Sequence, residues 1–187
     1  ETITNSQIHY YDGDIRAPKS FNNLSYIMEN YDIDSVMHFA ADKSVNESVK
    51  NPLKYYNNNI CGTISLLEKM KRYNVKNIIF SSSCTVYGQP DKYPVCEESP
   101  IKPAESPYGE TKQVCENILK NTSEKEDINV VSLRYFNPIG CHESGLLSDK
   151  PKGIPENLMP YIIGVLKKEY EYLRVFGNDY NTKDGTA

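Results

Sequence analysis

The arrangement of apolar residues along this chain is what most restricts the fold it can adopt. From Ile8 onward, short runs rich in Ile, Val, Phe and Tyr alternate with longer segments whose apolar residues recur at helical spacing. The short runs predict strands at residues 7–11, 35–40, 77–82, 129–135 and, with the weakest pattern, 172–176. The second and third runs are almost continuously apolar, which is typical of parallel strands buried on both faces. This alternation predicts an α/β fold with a doubly wound parallel sheet.

Two of the intervening segments are predicted to be amphipathic helices. One begins at Pro52, a residue type favoured in the first helical turn, and the other begins near Pro107. A Pro-rich stretch, residues 88–107, precedes the second helix, and loops of this length in compact domains are usually functional or disordered. The apolar spacing predicts the inward-facing positions, which are Tyr56, Ile60, Ile64, Leu67 and Met70 in the first helix and Val114, Ile118 and Leu119 in the second.

The composition argues against several classes of partner. The 187 residues carry a formal net charge of −4, the sequence pI is near 5.5, and Lys and Arg are spread along the chain. Because there is no basic cluster, neither nucleic acid nor an anionic membrane surface is an expected partner. No stretch approaches the ~18 apolar residues of a membrane span, and the first residues carry no secretion signal, so we expect a cytoplasmic protein.

The cysteines and His38 give no sign of a metal site. No two cysteines have the Cys-x-x-Cys spacing, and no histidine lies at a ligand spacing from them, so we expect reduced thiols and no metal. His38 lies within a predicted apolar strand, where a hydrogen-bonded core histidine is more frequent than a ligand.

Tyr108 and Lys112 are the first pair of residues that could carry chemistry. They stand one helical turn apart at the start of the second predicted helix, so both side chains project from one face. An ammonium group held beside a phenol favours the phenolate and lowers the tyrosine pKa, which would make Tyr108 a general base. By itself the pair is a weak signal, because Tyr and Lys also occur together on solvated helical faces.

The segment FSSSCTVYG, residues 80–88, strengthens that interpretation. An apolar strand ends there in three serines and then a turn glycine. Ligands of open parallel sheets bind beyond the carboxyl ends of the strands, where Ser83 is predicted to lie. The alternative is that the serine hydroxyls only bond the local backbone of a turn. A serine at a strand end, followed by Tyr-x-x-x-Lys on the next helix, has the order of the short-chain dehydrogenase triad.

Six sequence blocks extend this likeness to one family. The chain resembles the UDP-glucose 4-epimerases, NAD-dependent enzymes of the extended short-chain dehydrogenase/reductase class, in HFAADKSVNESVKNPLKYYNNNICGT, FSSSCTVYG, SPYGETK, LRYFNPIGCHESG, GIPENLMPYI and FGNDYNTKDGT. The resemblance implies a Rossmann-type fold, bound NAD and a UDP-sugar substrate. It also implies reversible C4 epimerisation of a UDP-hexose, between UDP-glucose and UDP-galactose, through a 4-keto intermediate. A homodimer of the full-length protein is compatible with it.

The resemblance implies roles for individual residues. Tyr108 would be the general base for the sugar 4-hydroxyl, Ser83 would hydrogen-bond the same hydroxyl, and Lys112 would bind the nicotinamide ribose and tune Tyr108. The cofactor-binding set would be Asp14, Ile15, Phe39, Ala40, Ala41, Lys43, Asn58, Ser83, Tyr108, Lys112 and Phe136. The substrate-binding set would be Lys43, Ser83, Tyr108, Phe136, Asn137, Asn157, Leu158, Arg174, Val175 and Phe176.

Some of these residues have a purely structural alternative. Asp14 could cap a turn after its strand, Phe136 and Phe176 could belong to a core, and Asn157 could stabilise a helix start. The sequence also departs from the family pattern at two positions. Asp42 stands where an apolar residue is expected before the lysine, and Cys84 stands where alanine is usual.

The extent of the resemblance predicts the domain organisation. The 187 residues include no glycine-rich turn for a cofactor pyrophosphate, so residues 1–136 are expected to be a partial Rossmann domain that lacks its first βαβ unit. Residues 137–187 are expected to begin a smaller UDP-sugar-binding domain. We therefore expect this stretch to belong to a longer enzyme and, by itself, neither to bind NAD nor to catalyse.

Three alternatives to a UDP-hexose epimerase stay open. An epimerase of UDP-xylose or of a UDP-uronate would share these motifs. A nucleotide-sugar 4,6-dehydratase would need an added acid and base after the strand, where Ser83 and Cys84 stand instead. A non-catalytic Rossmann binding module would keep the fold and lose the chemistry, against which the intact Ser83, Tyr108 and Lys112 argue.

Overall fold

The fold consists of two compact units. The computed structural model describes residues 2–16, 23–147, 155, 157–175, 177–180 and 182–185. Residues 8–136 form the larger unit, and residues 137–187 together with residues 1–7 form the smaller one.

The larger unit alternates helices and strands. Helix starts follow the local sequence, since Ser44 and Ser106 each accept a backbone N–H of the helix that they precede and Pro107 occupies the first turn. The elements are α1 (Asn23–Asn30), β1 (Ser35–His38), α2 (Val45–Lys50), α3 (Pro52–Tyr55), a π-helical segment (Tyr56–Cys61), α4 (Gly62–Arg72), β2 (Asn77–Ser83), a 3₁₀ turn (Cys84–Tyr87), α5 (Pro107–Lys125) and β3 (Asn129–Tyr135).

The three strands form a parallel sheet in the order β1-β2-β3. Ser35 pairs with Asn77, and Asn77 pairs with Asn129, so the strands start level with one another. Because the strands are parallel, the carboxyl ends of all three lie at one edge of the sheet, and Ser83 is the last residue of the middle strand. The predicted α/β class with a parallel sheet is confirmed.

Two predicted strands are wrong. Residues 7–11 and 172–175 have no strand conformation, residue 176 lies outside the described residues, and β1 stops at His38, before residues 39 and 40. A strand exists only where a neighbouring strand supplies ladder hydrogen bonds. Within the described ranges nothing pairs with residues 7–11 or 172–175, so β propensity alone does not hold them in a sheet.

The core lies on one face of the sheet. Its cluster joins α1, α4, β2 and α5, and it includes Met28, Leu66, Leu67, Met70, Ile78, Phe80, Cys115 and Leu119. On the opposite face Met37 and Val131 are 59% and 52% exposed. The expectation that the strands at 35–40 and 77–82 are buried on both faces is therefore wrong for the described part of the chain, because its helices pack on one face.

The helical run that starts at Pro52 presents a different face from the one predicted. Tyr55, Asn59 and Thr63 are buried, whereas Ile64 is 40% exposed. A π-helical segment holds one more residue per turn than an α-helix and therefore shifts the inward positions by about one residue. The α-helical spacing consequently assigned Tyr56 and Ile64 to the core in error. Ile60 is half-buried and packs against the core cluster, and Leu67 and Met70, which follow the π segment, are buried as predicted.

The smaller unit contains one described helix, α6 (Leu158–Leu166). Tyr170 follows it and stacks on Tyr161 with ring centroids 4.7 Å apart. Among the described residues of either unit, none of the helices has the length and apolar character that crossing a membrane requires.

Candidate active site

Ser83 lies where β2 turns into the 3₁₀ turn. Its backbone is extended, and its Oγ accepts the backbone N–H of Thr85 at 3.2 Å. The hydroxyl therefore stabilises the turn, as the structural alternative held. A hydroxyl that accepts one hydrogen bond still carries a proton to donate, so this role leaves Ser83 able to bond a ligand oxygen.

The start of α5 brings Tyr108 to the same place. Ser106 caps the helix by accepting the N–H of Gly109 at 3.1 Å. A side chain at Gly109 would bring its Cβ to 3.3 Å from the Thr85 carbonyl oxygen, so glycine permits the helix to approach the 3₁₀ turn closely. Tyr108, the neighbouring residue, is only 9% exposed. Its ring meets the edge of the buried Tyr55 ring at a centroid distance of 6.5 Å.

The ammonium group of Lys112 is buried close to the ring of Tyr108. Lys112 is 4% exposed, and its Nζ donates to the carbonyl oxygen of Ser81 at 2.7 Å. The same Nζ lies 4.9 Å from the ring centroid of Phe80 and 5.7 Å from that of Tyr108. The structure thus brings Ser83, Tyr108 and Lys112 together at the carboxyl edge of the sheet.

Burial sets the pKa values of this group. It raises the pKa of Tyr108, and the hydrogen bond with Ser83, which lowers that pKa, does not offset it. Burial also lowers the pKa of Lys112 to about 8. Lys112 therefore remains protonated by roughly ten to one at pH 7. The sequence predicted that Lys112 lowers the pKa of Tyr108, and this prediction is wrong for the protein's own groups, because burial of the phenol is the largest effect and raises that pKa.

The chemistry available to this cluster is proton transfer at a hydroxyl group. The buried phenol of Tyr108 and the buried Ser83 lie at this edge, with the Lys112 ammonium 5.7 Å from the phenol ring centroid. A hydroxyl that reached both Ser83 and Tyr108 could give its proton to the phenolate, while Lys112 stabilised the negative charge.

The segment after β1 lies along the same edge of the sheet. Phe39 is 55% exposed, Ala40 and Lys43 are exposed, and Ala41 is half-buried. The backbone of Asp42 within this segment is held by Asn59, whose Oδ1 accepts the Asp42 N–H at 2.9 Å and whose Nδ2 donates to the Asp42 carbonyl at 3.1 Å. Phe39, Ala40, Ala41 and Lys43 therefore lie on an anchored, accessible segment close to the end of β2.

Asp14 and Ile15 each make hydrogen bonds with other residues of the larger unit. Asp14 accepts the backbone N–H of Arg16 at 2.9 Å and pairs with its guanidinium at 2.6 Å, and these bonds lower its pKa to about 2. The carbonyl of Ile15 accepts the hydroxyl of Ser65 at 2.8 Å, which fixes the segment on α4. Asp14 thus makes the turn contact that the structural alternative described, and its cofactor role stays a prediction.

Two further predicted cofactor residues lie in the larger unit. Asn58 is half-buried in the π-helical segment, beside the buried Asn59. Phe136 is 58% exposed and lies with its ring centroid 6.4 Å from that of Tyr87, so it is not a core residue.

The remaining predicted substrate residues belong to the smaller unit. Asn137, Leu158 and Val175 are exposed, and Asn157 precedes α6 without a side-chain capping bond. Arg174 lies over the ring of Tyr172 at 5.9 Å, and Phe176 lies outside the described residues. The substrate roles of these residues stay predictions.

The sequence did not predict a role for three polar residues that lie near Ser83, Tyr108 and Lys112. Besides holding Asp42, the buried Asn59 donates to Thr111 at 3.0 Å. Glu116 and Arg134 form a half-buried ion pair at 2.7 Å. The NNN run at 57–59 pointed to polar residues in this helix but not to the one that faces inward, and nothing local in the sequence pairs Glu116 with Arg134.

His38 is the core histidine that the sequence predicted. It is 5% exposed, and its Nε2 lies 3.1 Å from the hydroxyl of Thr63. Burial lowers its pKa to about 4, so the imidazole is neutral at physiological pH.

Comparison with known proteins identifies relatives over the whole chain. A family model described as GDP-mannose 4,6 dehydratase matches residues 1–187. UDP-glucose 4-epimerase of Dictyostelium discoideum is 48% identical over 100% of this chain and 54% of its own length, and that of Bacillus subtilis (strain 168) is 48% identical over 99% and 54%.

Solved structures show the same likeness. UDP-glucose 4-epimerase from Bifidobacterium longum, in complex with NAD⁺ and UDP, matches 99% of this chain and 55% of its own with a TM-score of 0.92 and 46% identity. The enzyme from Stenotrophomonas maltophila, with bound NAD and formylated UDP-arabinopyranose, matches 93% and 51% with a TM-score of 0.86 and 45% identity. The predicted Rossmann-type fold is confirmed by these neighbours.

A parallel sheet with a serine at the end of its middle strand and Tyr-x-x-x-Lys on the next helix is typical of the short-chain dehydrogenase/reductase class. The family match over the whole chain is more specific. This chain belongs to the NAD-dependent epimerase/dehydratase family, in the group whose model is described as GDP-mannose 4,6 dehydratase. Its predicted resemblance to UDP-glucose 4-epimerases is confirmed, and it spans about half the length of those curated relatives.

Proposed function

We propose that the full-length protein containing this chain is an NAD-dependent 4-epimerase that interconverts UDP-glucose and UDP-galactose. The observation that carries the proposal is the buried cluster of Ser83, Tyr108 and Lys112 at the carboxyl edge of the sheet. The relatives named UDP-glucose 4-epimerase support it at 48% identity. Because those relatives are about twice as long, the activity is proposed for the full-length protein.

The residues present fit a dinucleotide cofactor. Lys112 offers an ammonium beside the phenol of Tyr108, a donor set that suits the hydroxyls of a ribose. The Thr85 hydroxyl is buried without a hydrogen-bond partner among the described residues, so it can bond a ligand at this place. The accessible segment of Phe39, Ala40, Ala41 and Lys43, with Asn58, would line the cofactor, and Asp14, Ile15 and Phe136 would contribute at its ends.

We assign the proton transfers to the protein's own residues. When bound, NAD⁺ supplies a two-electron acceptor that is regenerated in the cycle. Tyr108 takes the proton of the sugar 4-hydroxyl, Ser83 donates a hydrogen bond to the same oxygen, and Lys112 stabilises the phenolate. The C4 carbon becomes a ketone when its hydrogen leaves as hydride. After the 4-keto sugar turned over within the site, return of the hydride to its other face, with return of the proton from Tyr108, would give the epimer.

The family description makes a 4,6-dehydratase the second candidate. Elimination of water from C5 and C6 needs an acid and a base beyond the triad. Ser83 ends β2 and Cys84 directly follows it, and neither is a carboxylate. This difference favours epimerisation over dehydration. An epimerase of UDP-xylose or of a UDP-uronate, and a binding module without activity, remain the competing hypotheses for the experiment.

Turnover of the full-length protein tests the proposal. The protein purified with its cofactor is incubated with UDP-galactose, and the sugar nucleotides are separated by chromatography. We expect UDP-glucose to form without consumption of added NAD⁺. Stoichiometric NADH or a 4-keto-6-deoxy product would indicate a dehydrogenase or a dehydratase. Conversion of UDP-xylose or of a UDP-uronate alone would reassign the substrate, and no turnover of any of them would indicate a binding module.

We also propose that the full-length protein is a homodimer. The family resemblance supports this assembly. Light scattering coupled to size-exclusion chromatography measures the mass directly, and a monomer mass at micromolar concentration would refute it.

A further inference from the structure

Two polar residues of α5 bond consecutive residues at the end of β2. Lys112 Nζ donates to the carbonyl oxygen of Ser81 at 2.7 Å. One helical turn later, Oε1 of Glu116 accepts the hydroxyl of Ser82 at 2.5 Å. Because residues one turn apart project from the same helical face, these bonds fix the position of α5 along β2 at two points. Ser83 is the next residue of the strand.

The carboxylate of Glu116 is itself held in place by β3. Arg134 donates from Nε to Oε1 at 3.0 Å and from Nη2 to Oε2 at 2.7 Å. The side chains of Arg134 and Glu116 are only 21% and 11% exposed. A hydrogen bond to an ionised acceptor is roughly twice as strong as a neutral one, so the Ser82 hydroxyl has a firm partner.

We infer that Glu116 is a positioning residue, which sets the Ser83 hydroxyl against Tyr108 through the hydrogen bond to Ser82. The inference rests on the proposed function, because it concerns the base of that reaction. Glu116 lies two helical turns from Tyr108 and acts on it only through the strand end.

The surroundings of Tyr108 show how a displaced Ser83 would be detected. Burial, the largest effect, raises the pKa of Tyr108, as does the nearby thiol of Cys84, whereas the hydrogen bond with Ser83 lowers it. Within the described part of the chain, Lys112 on the same helix and Tyr55 on α3 also lie beside its ring. If Ser83 moves away, the pKa of Tyr108 rises further, so the acidic limb of a pH–rate profile moves to higher pH.

Two variants separate positioning from stability. Ser82→Ala removes the hydroxyl donor and leaves the ion pair intact. In Glu116→Gln, Oε1 still accepts from Ser82, but an amide NH₂ faces the Arg134 guanidinium. Glu126→Gln is the matched control, because Glu126 pairs with Lys71 at 2.6 Å on the exposed end of the same helix.

The experiment uses the full-length protein and measures kcat, KM, pH–rate profiles and thermal melts. For Ser82→Ala we expect a kcat lower by about tenfold, an unchanged KM, an acidic limb at higher pH and a nearly unchanged melting temperature. For Glu116→Gln we expect a lower melting temperature with the limb near its original position, and for Glu126→Gln neither change. A Ser82→Ala protein with an unmoved limb, or a limb shift confined to Glu116→Gln, would overturn the inference.

Crystal structures of the wild-type protein and Ser82→Ala provide a readout that needs no turnover. We expect a longer distance between Ser83 Oγ and the Tyr108 hydroxyl in the variant, and an unchanged distance would overturn the inference. If the wild-type protein lacks epimerase activity, the proposed function fails while this distance still decides the positioning role.

Discussion

Lys112 holds its ammonium group 5.7 Å from the ring centroid of Tyr108 while donating to the Ser81 carbonyl. The two side chains come from consecutive turns of α5, and both are buried. Burial disfavours the charged form of each, so it raises the pKa of the phenol and lowers that of the amine. Among the protein's own groups, burial therefore outweighs the nearby ammonium and favours the protonated phenol of Tyr108.

Replacement of Tyr108 by Phe tests the assigned base. Tyr108→Phe keeps the ring packing and deletes the proton-transfer group, so we expect epimerisation to fall by about 10²–10⁴-fold in the full-length protein. Nucleotide binding, measured by calorimetry, should be largely retained. Near-wild-type turnover would show that another group accepts the proton.

Lys112→Met should move the acidic limb of the pH–rate profile upward. Removal of a neighbouring cation raises the tyrosine pKa, and the phenolate then forms only at higher pH. The profile of kcat/KM is the measurement, with Lys120→Met, an exposed lysine of the same helix, as the control. A limb that stays in place would mean that Lys112 does not tune Tyr108.

The same substitution should change how stability depends on pH. The folded-state pKa of Lys112 is about 8, against an ordinary value of 10.5. Between these values the unfolded chain binds a proton that the folded chain does not, so Lys112 makes stability rise with pH across this window. Lys112→Met should remove up to about 3 kcal/mol of that rise, as measured by urea unfolding. If the free energy of unfolding rose equally with pH in both proteins, burial of the Lys112 ammonium would be contradicted.

His38 should contribute to acid unfolding. Its pKa is about 4 in the folded protein, against an ordinary 6.5, because the ring is buried. In this window the unfolded chain binds the additional proton, so this contribution to stability is complete above pH 6.5 and is lost as the pH falls to 4. His38→Gln should flatten this loss by up to about 3 kcal/mol in denaturant titrations. An unchanged acid profile would show that the imidazole is already accessible to protons.

Gly88 should tolerate no side chain. Its φ is +58°, and a Cβ there would overlap the carbonyl oxygen of Pro103, at the point where the loop packs against the end of the 3₁₀ turn. Gly88→Ala should cost about 1–3 kcal/mol through backbone strain and the shift of the loop. Gly13→Ala, whose Cβ would meet Asn23 at an ordinary 3.6 Å, should cost much less. Thermal melts compare the two, and equal melting temperatures would refute the argument.

The sequence determined those features that depend on neighbouring residues. Apolar runs located β2 and β3, and the first four residues of the 35–40 prediction became β1. Pro107 located the start of α5, and helical spacing placed Tyr108 and Lys112 on one face. Propensity, capping and side-chain period operate within a few residues, so they can be recognised without knowledge of the fold.

Only the tertiary structure decided the features that depend on residues far apart in the chain. Residues 7–11 have strand-like composition but no ladder partner among the described residues, and a π-helical segment turned Asn59 rather than Ile60 toward Thr111. The Glu116–Arg134 pair and the burial that raises the pKa of Tyr108 arise from packing between helix and sheet. Hydrogen-bond pairing and desolvation are set by what surrounds a group in space, which the local sequence does not contain.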